Sequence, residues 1–160
     1  MATNFVLKPV EIRMSDGRFF NFWFDGNSKV TVGNGSFDEP VANSFSLVQV
    51  QDCPFATPIC ASICYVHKLE EAEAAVHQKY HQNSANIREV LKNPGYTIET
   101  ENVFAEIIKH NCRQGFRWHV SGDVFSQEYA YFIRNVCLKF QPIFSWIYTR
   151  SFPFITPPHV

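Results

Sequence analysis

Between Phe116 and Tyr148 the chain reads strand, helix, strand with short connections, and no other stretch constrains the fold as tightly. Phe116 to Val120 is a β run closed by the turn sequence Ser121-Gly122-Asp123. Ser126 stands as a helix cap before Gln127 to Phe140, and Ile143 to Tyr148 follows Gln141-Pro142 as a second β run. Two strands joined through a helix lie parallel, with a right-handed crossover. Tyr129, Phe132, Ile133, Val136, Cys137 and Phe140 share one stripe of that helix, which places Cys137 in the core.

Upstream, residues 1–50 are β-rich. Phe5 to Arg13, Phe19 to Phe24, Lys29 to Val32 and Ser44 to Val50 are separated by turn signals at Ser15-Asp16-Gly17, Asp25-Gly26-Asn27 and Gly33-Asn34-Gly35-Ser36. From Thr57 the pattern turns helical, with Ile59, Ile63, Val66, Val76 and Tyr80 on one side. A further helix is expected over Ser84 to Leu91, stopped by Asn93-Pro94-Gly95. Another runs from about Thr100 to Cys112, with Phe104, Ile107, Ile108 and Cys112 facing the core. Pro153, Pro157 and Pro158 predict an extended tail over Phe152 to Val160. The expected class is α+β or α/β: N-terminal β-hairpins joined to a small, partly parallel, partly barrel-like sheet with helical crossovers. The 160 residues form one domain, with 1–50 as its β-rich part and 51–160 as the cysteine loop plus the β/α part.

A 46% apolar composition supports a core, and sixteen phenylalanines point to one packed with aromatic rings. A net charge of -1 with no basic block argues against an extensive nucleic-acid surface. No apolar run approaches the roughly 18 residues of a membrane helix. The Met-Ala-Thr-Asn start lacks the apolar stretch of a secretory leader, so a disulfide framework is not expected.

The densest chemical signal is the run Asp52-Cys-Pro-Phe-Ala-Thr-Pro-Ile-Cys-Ala-Ser-Ile-Cys-Tyr65. Thr57 followed by Pro58 reads as an N-cap and first helical position. Cys60 then falls in the first turn, and Cys64 lies one turn later on the same face, with Cβ atoms roughly 5 to 6 Å apart. Cys53 folds back from the loop. The exposed N–H groups and positive end of such a helix favour thiolate at Cys60. Soft thiolates select zinc, copper(I) or iron-sulfur clusters. The expected cofactor is a 4Fe-4S cluster on Cys53, Cys60 and Cys64, with the fourth iron open to a small molecule or redox role, or closed by Cys112 or Cys137. The alternatives are a structural zinc held by three cysteines and one histidine, and cysteines that are merely buried small apolar residues. His77 and His81 also have ligand spacing, but their neighbours are those of a solvated face.

Ligands of a parallel sheet sit beyond the carboxyl ends of its strands, and polar residues gather there. His119-Val-Ser-Gly-Asp123 closes one strand and Tyr148-Thr-Arg-Ser151 closes the other. The cysteine loop joins them if the strand at Ser44 is parallel to both. The expected cofactor-binding residues are Ser121, Gly122, Asp123, Tyr148 and Arg150. Gly122 would admit close backbone approach of a ligand, and Arg150 would take a carboxylate or phosphate. In a purely structural role, Ser-Gly-Asp is a turn and Arg150 pairs with Asp123. His119 is either a ligand near the cysteines or a hydrogen-bonded core histidine.

Together, the run Cys53-Pro-x-Ala-Thr-x-x-Cys60-x-x-x-Cys64-Tyr65, the stretch His119-Val-Ser-Gly-Asp123 with Phe125-Ser126-Gln127-Glu128-Tyr129, and Tyr148-Thr-Arg-Ser151 resemble the gene product 88 family of bacteriophage proteins, over about residues 42–152. The resemblance implies a phage origin and action in the cytoplasm of an infected bacterial cell, and carries no activity with it. A looser likeness is to the first half of a radical S-adenosylmethionine enzyme barrel, where a three-cysteine loop precedes a glycine-rich, acidic strand end that holds the cofactor. In this chain the cysteine spacing is six and three residues rather than three and two, aspartate stands for glutamate, and later barrel strands are lacking. S-adenosylmethionine is the cofactor this second likeness implies.

Overall fold

The computed structural model describes residues 7–26, 43–72, 74–112 and 115–155. The sequence's alternation builds a hairpin first: β1 (Leu7–Arg13) pairs antiparallel with β2 (Phe19–Asp25) across the turn that holds Gly17. β3 (Ser44–Phe45) runs antiparallel to β2, and then the sheet changes character. β4 (Phe116–Trp118) lies parallel to β3, and β5 (Ser145–Ile147) parallel to β4, giving an open five-stranded sheet in the order β1-β2-β3-β4-β5. The partly parallel sheet with helical crossovers is as the sequence implies. The strand and turn expected between Lys29 and Ser36 lie outside the described residues, as do Phe5 and Val6.

The crossover from β3 to β4 carries α1 (Pro58–Ser62), α2 (Tyr65–Ala72), α3 (Ala74–Leu91) and α4 (Pro94–Asn111). Asn93 and Pro94 both end one helix and begin the next, because the Asn93 side chain accepts from the N–H groups of Gly95 and Tyr96. The helix expected from Thr100 therefore starts six residues earlier, and the one expected from Ser84 is the second half of α3. From β4 to β5 the connection is α5 (Gln127–Lys139), capped by Ser126 as its sequence implies. Over Phe152–Ile155 the expected extended tail is instead one turn, α6: Pro153 sits in a first turn, where its missing N–H has no partner to lose, and Phe154 N–H donates to Ser151 O; residues 156–160 of that expectation lie outside the described residues.

Strand alternation puts Phe20, Phe22 and Phe24 on one face of β2. Phe104 of α4 sits among Phe22, Phe24, Phe45 and Phe132, with ring centroids 4.9–5.4 Å away in edge-on or nearly edge-on arrangements. Phe116, Trp118, Val136 and Phe140 extend this core, which accounts for the phenylalanine content. Cys112 is buried in it and Cys137 packs against it, its Sγ 3.4 Å from Ser145 Oγ. A second cluster holds Val48, Val66, Val76 and Tyr80, with Cys64 at its edge. No helix among the described residues is long and apolar enough to cross a membrane.

Candidate functional site

Three strand ends deliver the site. β3, β4 and β5 point the same way, so the chain leaving each arrives at one edge. There, a cavity of about 640 Å³ is lined by Cys53, Cys60 and Cys64 from the first exit, Val120 to Asp123 from the second, and Ile147 to Arg150 from the third. All eight residues anticipated as metal or cofactor contacts meet on this one cavity. Gln49, Tyr65 and Phe152 line it too, and single-residue chemistry gave no signal for them.

β3 is only two residues long, against the seven expected, because its exit is pulled into a polar network. Ser46 Oγ donates to the Asp25 carboxylate and accepts from Val120 N–H at 3.1 Å, while Leu47 N–H donates to Ser121 O at 2.9 Å. Val50 then adopts a left-handed backbone, φ 62°, and His119 does the same at the end of β4, φ 61°. Left-handed backbone is unfavourable at a β-branched valine and marks these exits as strained by their surroundings.

Asp52, buried next to Cys53, joins the three exits. Its carboxylate accepts from Ser84 Oγ and Arg88 Nη2 on α3 and from Val48 N–H at 3.3 Å; its carbonyl accepts from Asp123 N–H at 2.8 Å. Asp123 in turn accepts from Val124 N–H at 2.7 Å and from Arg150 N–H at 2.9 Å. The Asp52 carboxylate thus ties the cysteine loop to α3, the main chain of Asp52 joins it to the Ser-Gly-Asp turn, and the Asp123 carboxylate joins that turn to the third exit. Arg88 also lies 3.8 Å over the Phe125 ring. The sequence held a faint signal for this, a charged residue directly before Cys53 and an i, i+4 Ser/Arg pair, but their partnership spans 32 to 36 residues.

Several local expectations change. Thr57 caps α1 by accepting from Cys60 N–H at 3.1 Å, with Pro58 at the first position. The helix then ends at Ile63, so Cys60 and Cys64 are not successive turns of one helix, and five residues give too short a dipole to activate a thiol. Ile59 and Ile63 remain 71% and 74% exposed instead of packing inward. Gly122, φ 78°, is required for a close approach, but the neighbour is Leu47: a Cβ there would lie 2.7 Å from that residue's Cβ. Arg150 meets Asp123 through its backbone N–H, leaving the guanidinium without a carboxylate partner among the described residues.

His119 lies outside the cavity lining. It is buried, its Nε2 2.8 Å from Tyr129 Oη, and burial holds its pKa down at about 4. His77 and His81 pack ring against ring on α3, centroids 4.3 Å apart, also away from the cavity. Cys112 and Cys137 do not line it either. Among the described residues, no three His, Cys, Asp or Glu side chains are gathered tightly enough to hold a metal ion. Burial pushes the Cys53 thiol up to about 11, and the nearby Asp123 carboxylate adds to the shift. Ligation would have to displace the thiol proton that burial favours.

The family model described as Gene product 88 matches residues 21–159. The chain is 32% identical over 129 residues to the Gene 88 protein of Mycobacterium phage D29, covering 78% of this chain and 50% of that protein. It is 33% identical over 129 residues to the Gene 88 protein of Mycobacterium phage L5, covering 78% and 51%. The chain spans about half the length of these curated relatives, whose names state no activity. No solved structure matches.

Proposed function

We propose that this chain, which belongs to the Gene product 88 family with relatives in bacteriophages, binds a 4Fe-4S cluster through Cys53, Cys60 and Cys64 and acts in the cytoplasm of the infected bacterium. The observation that carries the reading is the convergence of these three cysteines on one cavity with the polar ends of two neighbouring parallel strands. The donor set fits: three soft thiols, no histidine in the lining, and both remaining cysteines committed to the core.

When bound, such a cluster supplies one-electron chemistry and, with three protein ligands, one iron open to a small molecule. The chain's own residues set the conditions. Asp52 fixes the position of Cys53, and Asp123 holds the backbone at Arg150. The Arg150 guanidinium, without a carboxylate partner among the described residues, lines the cavity where it would meet an anionic ligand, and Ser121 and Tyr148 line the same cavity. Loading releases protons from the thiols, so it strengthens with rising pH.

Anaerobic purification followed by absorption spectroscopy tests the reading. A brown protein with a broad band near roughly 400 nm that bleaches on dithionite is expected. A colourless protein carrying zinc would overturn it. S-adenosylmethionine added to the reduced protein tests whether the open iron takes that molecule; a changed electron paramagnetic resonance spectrum would show that it does.

A further inference from the structure

β5 presents an aromatic row of which one ring, Tyr148, also lines the cysteine cavity. Strand alternation turns Ser145 and Ile147 toward α5 and the core and sends Phe144, Trp146 and Tyr148 to the opposite side. Phe144 and Tyr148 are 68% and 72% exposed. Phe144 and Trp146 are stacked, centroids 5.5 Å apart with 28° between their planes. Gly115 makes room for this pair, since a Cβ there would lie 2.9 Å from the Trp146 ring. Two arginines are interleaved with the rings. Arg117, opposite Trp146 on β4, lies 5.3 Å over the Tyr148 ring, and Arg150 follows two residues beyond Tyr148. Neither guanidinium has a carboxylate hydrogen bond or ion pair among the described residues, and the cavity's one carboxylate, Asp123, is buried and accepts from two backbone N–H groups.

We propose that this face of β5 binds a short stretch of single-stranded nucleic acid, with bases stacking on Phe144, Trp146 and Tyr148 and phosphates meeting Arg117 and Arg150. Exposed flat rings offer every base a stacking partner without reading its edge, and guanidinium groups between them match the charge of the linking phosphates. A partner without negative charge would be served equally by the rings but would leave two guanidinium groups without a hydrogen-bonded anion at its interface. Near-neutral net charge limits the electrostatic part to about two phosphates, so affinity is modest and stacking dominates. The row is short, as a chain without an extensive basic surface requires. The inference does not rest on the cluster: the rings and arginines are in place whatever the cysteines hold.

The probe is a fluorescein-labelled oligothymidylate of about ten nucleotides, titrated with protein at low salt while anisotropy is followed, and an unlabelled copy is used to follow tryptophan emission in wild type and in Trp146→Phe. Binding with quenched tryptophan emission is expected, weakened roughly ten-fold or more by Phe144→Ala and by Tyr148→Ala. Both residues are largely exposed, so both variants should keep the wild-type melting curve. Arg117→Gln should lower the salt slope by about 0.7. Three outcomes overturn the proposal: no binding, equal binding by wild type and both alanine variants, or equal affinity for duplex of the same length. Concentration-dependent dimerisation abolished by Phe144→Ala would also overturn it, by assigning the row to contact between copies of this chain.

Discussion

Asp52→Asn tests whether the cysteine loop owes its position to a buried carboxylate. The substitution keeps shape and leaves the main-chain bond from Asp123 N–H to the carbonyl of residue 52 intact. It removes the charge that accepts from Ser84 Oγ, Arg88 Nη2 and Val48 N–H, and an amide cannot accept from all three. Hydrogen bonds to a charged group contribute about 1.5–3 kcal/mol each, and breaking a fully buried ion pair costs about 3–5 kcal/mol. The Arg88 side chain is 40% exposed, so water takes back part of its loss. The net expectation is about 2–3 kcal/mol, which for a chain of this size lowers the melting temperature by roughly 5–10 °C. Urea unfolding followed by circular dichroism measures the first, and a thermal scan the second. Ser84→Ala should cost less, about 1 kcal/mol, since it removes one donor and leaves the ion pair. If Asp52→Asn unfolds within about 0.5 kcal/mol of wild type, the anchoring of the cysteine loop to α3 through the Asp52 carboxylate is wrong.

Gly122→Ala should destabilise by about 2–4 kcal/mol, because φ 78° is unfavourable for alanine and the new Cβ meets Leu47; a urea midpoint like that of wild type would contradict the close approach. Burial raises the Asp25 carboxyl from 3.8 to about 7, so its proton is held more tightly in the fold and its stabilising contribution fades as pH rises through that window. His119, lowered from 6.5 to about 4 by burial, is neutral in the fold, and its contribution fades as pH falls through 6.5 toward 4. Each term is on the order of 3 kcal/mol and they oppose one another; Asp25→Asn should lose stability on acidification and His119→Gln on alkalinisation, and identical pH profiles for both would refute the assignment. Cys137→Ala should cost about 1–2 kcal/mol for its core cavity yet retain the cofactor in anaerobic preparations, and its loss there would move Cys137 into the site.

Legibility followed the range of the interactions. Thr57-Pro58 and Ser126 announce helix starts because a cap is decided within three residues, and the strand-helix-strand order of the last third follows apolar periodicity, although distant partners such as Ser46 end β4 at Trp118, short of the expected Val120. The break between α1 and α2 was not legible. Val66 is buried against Val48, Val76 and Tyr80, and the Tyr65 hydroxyl donates to Val120 O, so α2 takes its direction from residues that a continuous helix from Thr57 would not reach in the same way. Nor did Val50 or His119 betray a left-handed backbone, since neither is glycine or asparagine. The candidate site divides similarly. Its cysteines, glycine and arginine carry their chemistry in their identity, whereas Asp52, Ser84 and Arg88 matter only through contacts made after folding. Asp25, Ser46 and Tyr80 belong to that second kind.

Iron and acid-labile sulfide counted per chain, in anaerobically purified wild type beside Cys60→Ser, bear most directly on the cluster. About four of each in wild type, falling to near background in Cys60→Ser, is the expected result. Wild type with about one zinc and no sulfide, or full iron retained in Cys60→Ser, would contradict the assignment of Cys53, Cys60 and Cys64.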